Sequence, residues 1–134
     1  MMVMILLDTD HCVFFLRGHA SVRSAFAAHA AEEPAVSIIT VGELYFGALR
    51  SARPEKNQAI CQALIDRVTV VPLDQPIMRR FATIKAALAA RGELLEDPDL
   101  LIGATAMERG VPLVTHNSSH FARIQGLRLE DWTG

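Results

Sequence analysis

Asp8, Glu43, Asp97, Asp99, Thr115 and Asn117 are the side chains in this sequence whose types could do chemistry together. Asp8 stands in Leu7-Asp8-Thr9-Asp10, at the end of an apolar run. Glu43 follows Thr40-Val41-Gly42. Asp97 and Asp99 bracket Pro98, and Thr115-His116-Asn117 follows Leu113-Val114. Carboxylates gathered within a few ångströms repel one another and raise each other's pKa values unless a cation neutralises them. A donor set made only of oxygens suits Mg²⁺ or Mn²⁺ rather than zinc. Such a site activates a water and offsets the charge of an in-line phosphoryl transition state.

Each residue also has a purely structural reading. Thr40-Val41-Gly42-Glu43 has the spacing of a capping box. Asp97-Pro98-Asp99 reads as a helix start, with Asp97 as N-cap and proline at the first position. Asp8 is placed to cap a helix after its strand. Asn117-Ser118-Ser119 is ordinary turn chemistry. These readings explain the residues singly but not their convergence, which depends on the elements that carry them.

The run 3–7 is continuously apolar and reads as a strand buried on both faces. Helical sequence follows over 9–16 and 21–30. A second strand is expected over 35–39, after Pro34, and Thr40 opens a helix to about Ser51. Pro54 starts another helix, with Ile60, Leu64 and Val68 on one stripe. A third strand covers 68–71, closed by Pro72. Ile77, Phe81, Ile84 and Leu88 form an amphipathic stripe that stops near Gly92. A helix over 98–109 ends at Gly110, a fourth strand covers 111–115, and the tail from Leu127 offers a short last one. Strands alternating with helices imply an α/β fold, with a central, mainly parallel sheet of four to five strands and helices on both faces. Ligands in open α/β sheets sit outside the carboxyl ends of the strands. That edge receives Asp8, Glu43, the Asp97/Asp99 pair and Thr115 to Asn117.

With that arrangement the chain resembles a PIN-domain ribonuclease, in particular the VapC-type toxin of bacterial toxin–antitoxin pairs. Four segments carry the resemblance over nearly the whole length, so that residues 1–134 form one PIN-like domain. They are Leu6 to Asp10; Ser37 to Leu44 with Gly47; Asp97 to Ala106; and Leu113 to Asn117 leading to Phe121, Ile124, Gly126-Leu127 and Trp132. The resemblance makes Asp8, Glu43 and Asp99 the acidic ligands of Mg²⁺ or Mn²⁺. Many relatives have a further acidic residue where this chain has Asn117. An amide oxygen is a poorer ligand, so Asn117 takes an auxiliary role and a strongly bound second metal is put in doubt. The resemblance gives Thr115, and likewise Thr9, the task of positioning water or Asn117 through a hydroxyl. It implies endonucleolytic cleavage of structured RNA such as tRNA or rRNA, with water activated by the carboxylate-held metal, leaving a 5′-phosphate and a 3′-hydroxyl. It also implies a homodimer and a cognate antitoxin as inhibitor.

An acidic pocket must still attract a polyanion. Arg79, Arg80, Lys85 and Arg91 share the helix of the Ile77 stripe and read as a solvated face. Arg50, Arg53 and Lys56 follow the Glu43 helix and are the preferred contacts to RNA. His116 is the one histidine expected near the carboxyl edge, and it is a candidate for substrate contact. Cys12 and Cys61 are too few and too distant for a disulfide framework or a zinc signature, and read as small core residues. Phe14, Phe15, Tyr45 and Phe46 are expected in the core or along a partner groove.

The 134 residues fit one domain. A charged fraction of 21% beside 51% hydrophobic residues excludes a disordered chain. The net charge of −2 argues against a broad basic face. The opening apolar run is short, has no basic residues before it and ends at Asp8, so neither a signal peptide nor a membrane span is expected. The expectation is a cytoplasmic protein. Two other functions fit parts of the sequence. Asp8-Thr9-Asp10 looks like the nucleophile motif of a haloacid-dehalogenase-like phosphatase, but His11 stands where a small turn is expected and there is little room for a cap. A catalytically weak PIN-like module that binds RNA or a partner is the second, suggested by Asn117.

Overall fold

A computed structural model describes residues 3–134. Met1 and Met2 of the apolar opening lie outside the described residues. The strands are β1 (Met4–Leu7), β2 (Glu33–Ser37), β3 (Thr69–Val71), β4 (Leu113–Val114) and β5 (Leu129–Glu130). They form one parallel sheet in the order β3-β2-β1-β4-β5. The helices are α1 (Thr9–Leu16), α2 (Ala20–Ala28), α3 (Ile38–Leu49), α4 (Pro54–Ile65), α5 (Gln75–Ala90), α6 (Asp97–Arg109) and α7 (Ser118–Phe121).

The apolar strands have a simple cause. Side chains alternate between the faces of a strand, and both faces here are covered. Ile5 and Leu7 join Val36, Val41, Leu44, Leu64 and Val114 in one core. Leu6 between them joins Ala35, Val71, Ile77, Leu88, Leu100 and Leu113 in the other, beneath Phe121 and Ile124. Alternation is therefore hidden in the central strands β1 and β4, which read as unbroken apolar runs.

Several boundaries differ from the sequence reading. The second strand stops at Ser37, not Ile39, because the Ser37 hydroxyl caps α3 by accepting the Ile39 N–H at 3.0 Å. Thr40 therefore lies inside α3, and Thr40-Val41-Gly42-Glu43 is no capping box. The N-cap of α6 is Glu96, not Asp97. Asp97 turns outward to Lys85 Nζ at 2.8 Å. The Asn117 to Ser119 stretch, expected as a turn, leads into the single-turn helix α7. The fourth strand is limited to Leu113–Val114. Tyr45 and Phe46 are exposed rather than core, at 39% and 60%. Cys12 and Cys61 are buried. Burial pushes both thiols up, which leaves them inert packing groups.

Candidate active site

Three helices begin at the carboxyl edge of the sheet and bring distant carboxylates together. Asp8 ends β1 and caps α1, its Oδ1 accepting the Thr9 N–H at 2.8 Å. Its own N–H donates to Val114 O at 2.9 Å, which ties it to the neighbouring strand. Its Oδ2 accepts the Thr115 hydroxyl at 2.7 Å. Thr115 is fully buried, and its N–H is held by Glu130 O at 2.8 Å. The Thr115 hydroxyl thus spends its proton on Asp8 and accepts the Asn117 N–H at 3.0 Å.

Glu43 lies in α3 beyond its first turn. Its Oε1 accepts the Thr9 hydroxyl at 2.6 Å, and that hydroxyl lies 3.0 Å from Thr40 Oγ1. Asp99 is half-buried in the first turn of α6. The Asn117 side chain is exposed, as is His116. Arg50, Arg53 and Lys56 are exposed at the α3–α4 junction. A groove of about 290 Å³ lies between α1, α3 and α4 and has Glu43, Val13, Leu16, Leu44 and Ile60 in its walls.

The electrostatics of the cluster are those of crowded anions. Asp8 is 4% exposed, and burial pushes its carboxyl up to about 7. The charge of Asp10 adds to this, while the hydrogen bonds from Thr115 and Thr9 pull it back and Asp99 raises it further. Burial likewise raises Asp99, with Glu43, Glu96 and Asp10 adding to it and His120 opposing. Among the described residues no lysine or arginine forms a salt bridge with Asp8, Glu43 or Asp99. A hard divalent cation fits such a set of unneutralised oxygens. Among the described residues no three or more histidine, cysteine or acidic side chains are already arranged closely enough to hold a metal ion together. An ion held here would keep several waters and take one or two carboxylates at a time.

Sequence reasoning left two members of this edge without a role. Asp10 accepts the His116 N–H on Oδ2 at 2.9 Å and lies 2.9 Å from His11 Nδ1 through Oδ1. His116 is therefore not the one histidine at the edge. His11 adjoins Asp10, and His120 lies within electrostatic reach of Asp99. Asp10 carried a signal in its spacing from Asp8. His11 carried none, since its partners come from the far end of the chain.

The family model described as PIN domain matches residues 5–127. The chain is 35% identical over 133 residues to the tRNA(fMet)-specific endonuclease VapC of Shigella flexneri, an alignment covering 98% of this chain and 100% of that protein. It is 35% identical over 132 residues to ribonuclease VapC2 of Haemophilus influenzae, covering 98% and 99%. Among solved structures, the DNA-bound VapBC of Salmonella typhimurium matches with a TM-score of 0.91 at 34% identity, over 98% of this chain and 99% of that one. VapBC2 of Rickettsia felis bound to a promoter DNA fragment matches with a TM-score of 0.91 at 27% identity, over 97% and 99%.

Proposed function

The chain belongs to the PIN-domain family, among its VapC-type ribonucleases, and from that membership and the acidic edge we propose that it is a metal-dependent endoribonuclease, the toxin of a toxin–antitoxin pair. The observation that carries the reading is that Asp8, buried with no cation beside it, feels the charge of Asp99, which in turn feels that of Glu43. In this reading Asp8, Asp99 and Glu43 hold Mg²⁺ or Mn²⁺. The ion, when bound, supplies the charge that activates water and steadies the phosphoryl group in flight.

The protein's own residues do the rest. Thr115 keeps Asp8 Oδ2 in one rotamer by a short hydrogen bond. Thr9 does the same for Glu43. Asn117 begins α7 at the mouth of the site and serves in an auxiliary role. Arg50, Arg53 and Lys56 draw the RNA backbone, and His116 contacts it from the exposed turn. The substrate class is structured RNA, tRNA or rRNA, met in the cytoplasm; tRNA(fMet) is the one named for the Shigella relative.

The cognate antitoxin is the second partner. The groove beside Glu43 is mostly apolar along α1, α3 and α4, with Arg17 and Glu43 also in its walls, which fits an inhibitory segment lying across the site. The exposed Tyr45, Phe46 and Leu49 fit a homodimer contact. No helix among the described residues is long and apolar enough to cross a membrane.

The test induces the wild type, Asp8→Asn and Asp99→Asn in a host without antitoxin, and assays each purified protein on total RNA. Growth arrest, and RNA cleavage that needs Mg²⁺ or Mn²⁺ and stops with EDTA, are expected of the wild type alone. Equal toxicity from the folded variants would remove the carboxylate mechanism.

A further inference from the structure

His11 occupies the first turn of α1 and is 1% exposed. Its Nε2 accepts the Trp132 backbone N–H at 3.0 Å. Asp131 Oδ1 stands farther off, at 3.6 Å. A backbone N–H only donates, so Nε2 carries the lone pair and the neutral ring has its proton on Nδ1. Nδ1 lies 2.9 Å from Asp10 Oδ1 and donates to it. The ring is steadied edge-on by Phe14 and Trp132, with centroids 5.9 and 6.1 Å away.

The other oxygen of Asp10 faces the site. Oδ2 accepts the His116 N–H at 2.9 Å and lies 3.4 Å from the Thr115 hydroxyl. That hydroxyl donates to Asp8 Oδ2. An unbroken line of polar contacts thus runs from the Trp132 backbone through His11 and Asp10 to the 115–117 turn, and so to Asp8. The mechanism above leaves His11 and Asp10 without a task.

We propose that His11 is a positioning residue for RNA cleavage, orienting Asp10 through Nδ1 so that the 115–117 turn holds Thr115 on Asp8. The proposal rests on the ribonuclease reading. Its geometry predicts which half of the imidazole matters. Asn at position 11 places an amide N–H near Nδ1 and has nothing at Nε2. Gln reaches the Nε2 position and leaves Asp10 Oδ1 without its donor.

The test compares full-length wild type, His11→Asn and His11→Gln by Mg²⁺-dependent RNA cleavage, by thermal melting and by the amide resonances of His116 and Trp132. His11→Gln should lower kcat about tenfold, in the range typical of lost support behind a metal site, with KM little changed, and should shift the His116 amide. His11→Asn should keep most of the rate and the His116 resonance, while shifting Trp132. Asp10→Asn leaves His11 in its packing, but its single acceptor oxygen cannot serve both His11 and His116. It should reproduce the His11→Gln loss even where that variant melts early. An unmoved His116 resonance in His11→Gln overturns the proposal. So does a rate that follows melting temperature alone. A wild type that cuts no RNA sinks the ribonuclease reading, and the His116 resonance still decides whether His11 orients the turn.

Discussion

At neutral pH the Asp8 carboxyl is close to the midpoint of its titration, about 7, far above the ordinary 3.8. Between those values the folded protein binds a proton that the unfolded chain has released. Stability of the metal-free protein must therefore fall as pH rises from about 4 to about 7, and the favourable protonated state is fully present only below that window. The expected loss is on the order of 3 kcal/mol. Urea unfolding in EDTA at pH 5 and pH 8 measures it. Asp8→Asn should flatten the dependence and exceed the wild type at pH 8. Added Mg²⁺ should restore the wild type there and leave Asp8→Asn unchanged. At this scale the sequence was legible where a residue's type alone suggests its chemistry, as for Asp8, Glu43 and Asp99. It was illegible where the partner decides. Nothing local says that the Thr9 hydroxyl meets Glu43, or that His11 takes the Trp132 N–H, because those pairs are made only when α1 crosses α3 and the tail returns.

The elements were legible to the extent that burial leaves a mark on sequence. Strands covered on both faces show as apolar runs, and α5 shows as a stripe ending at a left-handed Gly92 (φ 68°). Boundaries were less so. Ile38 and Ile39 look like strand, yet they open α3, since the buried Ser37 hydroxyl takes over the Ile39 N–H and ends β2 there. Helix α7 is a single turn whose Phe121 is fully buried, and its sequence contains too few residues to show a period. The cap yields a prediction. Ser37→Ala should lower unfolding stability by about 1 kcal/mol, the usual worth of an N-cap, measured by denaturant titration. Ser37→Gly should cost less at the cap itself, because glycine is tolerated there.

Over the whole molecule the net charge of −2 hides a division of labour. Most basic residues on and just after α5 are occupied: Arg80 pairs with Glu108, Lys85 with Asp97 and Arg91 with Glu93, while Arg79 forms no salt bridge among the described residues. Arg50, Arg53 and Lys56 form no salt bridge among the described residues, and Arg50 rests over the Phe46 ring at 5.6 Å. Binding of RNA through about three such cations predicts a log–log salt slope near −2. Raising salt from ~50 to ~200 mM should then weaken binding by roughly 16-fold, less than for a broad basic face. Replacing Arg50 and Arg53 by Ala should flatten the slope, measured by RNA titration with Ca²⁺ in place of Mg²⁺. A slope unchanged in that variant places the phosphate contacts elsewhere.

The strand order β3-β2-β1-β4-β5 puts the first strand in the middle of the sheet, between partners from early and late in the chain. Asp8 and Thr115, which share a hydrogen bond, are separated by 107 positions. A ribosome making this protein therefore presents an incomplete edge through most of synthesis. The carboxylate edge is complete only when β4, β5 and Trp132 have emerged and folded back. A fragment truncated before Leu113 keeps Asp8, Glu43 and Asp99 yet lacks the strand and hydroxyl that hold Asp8.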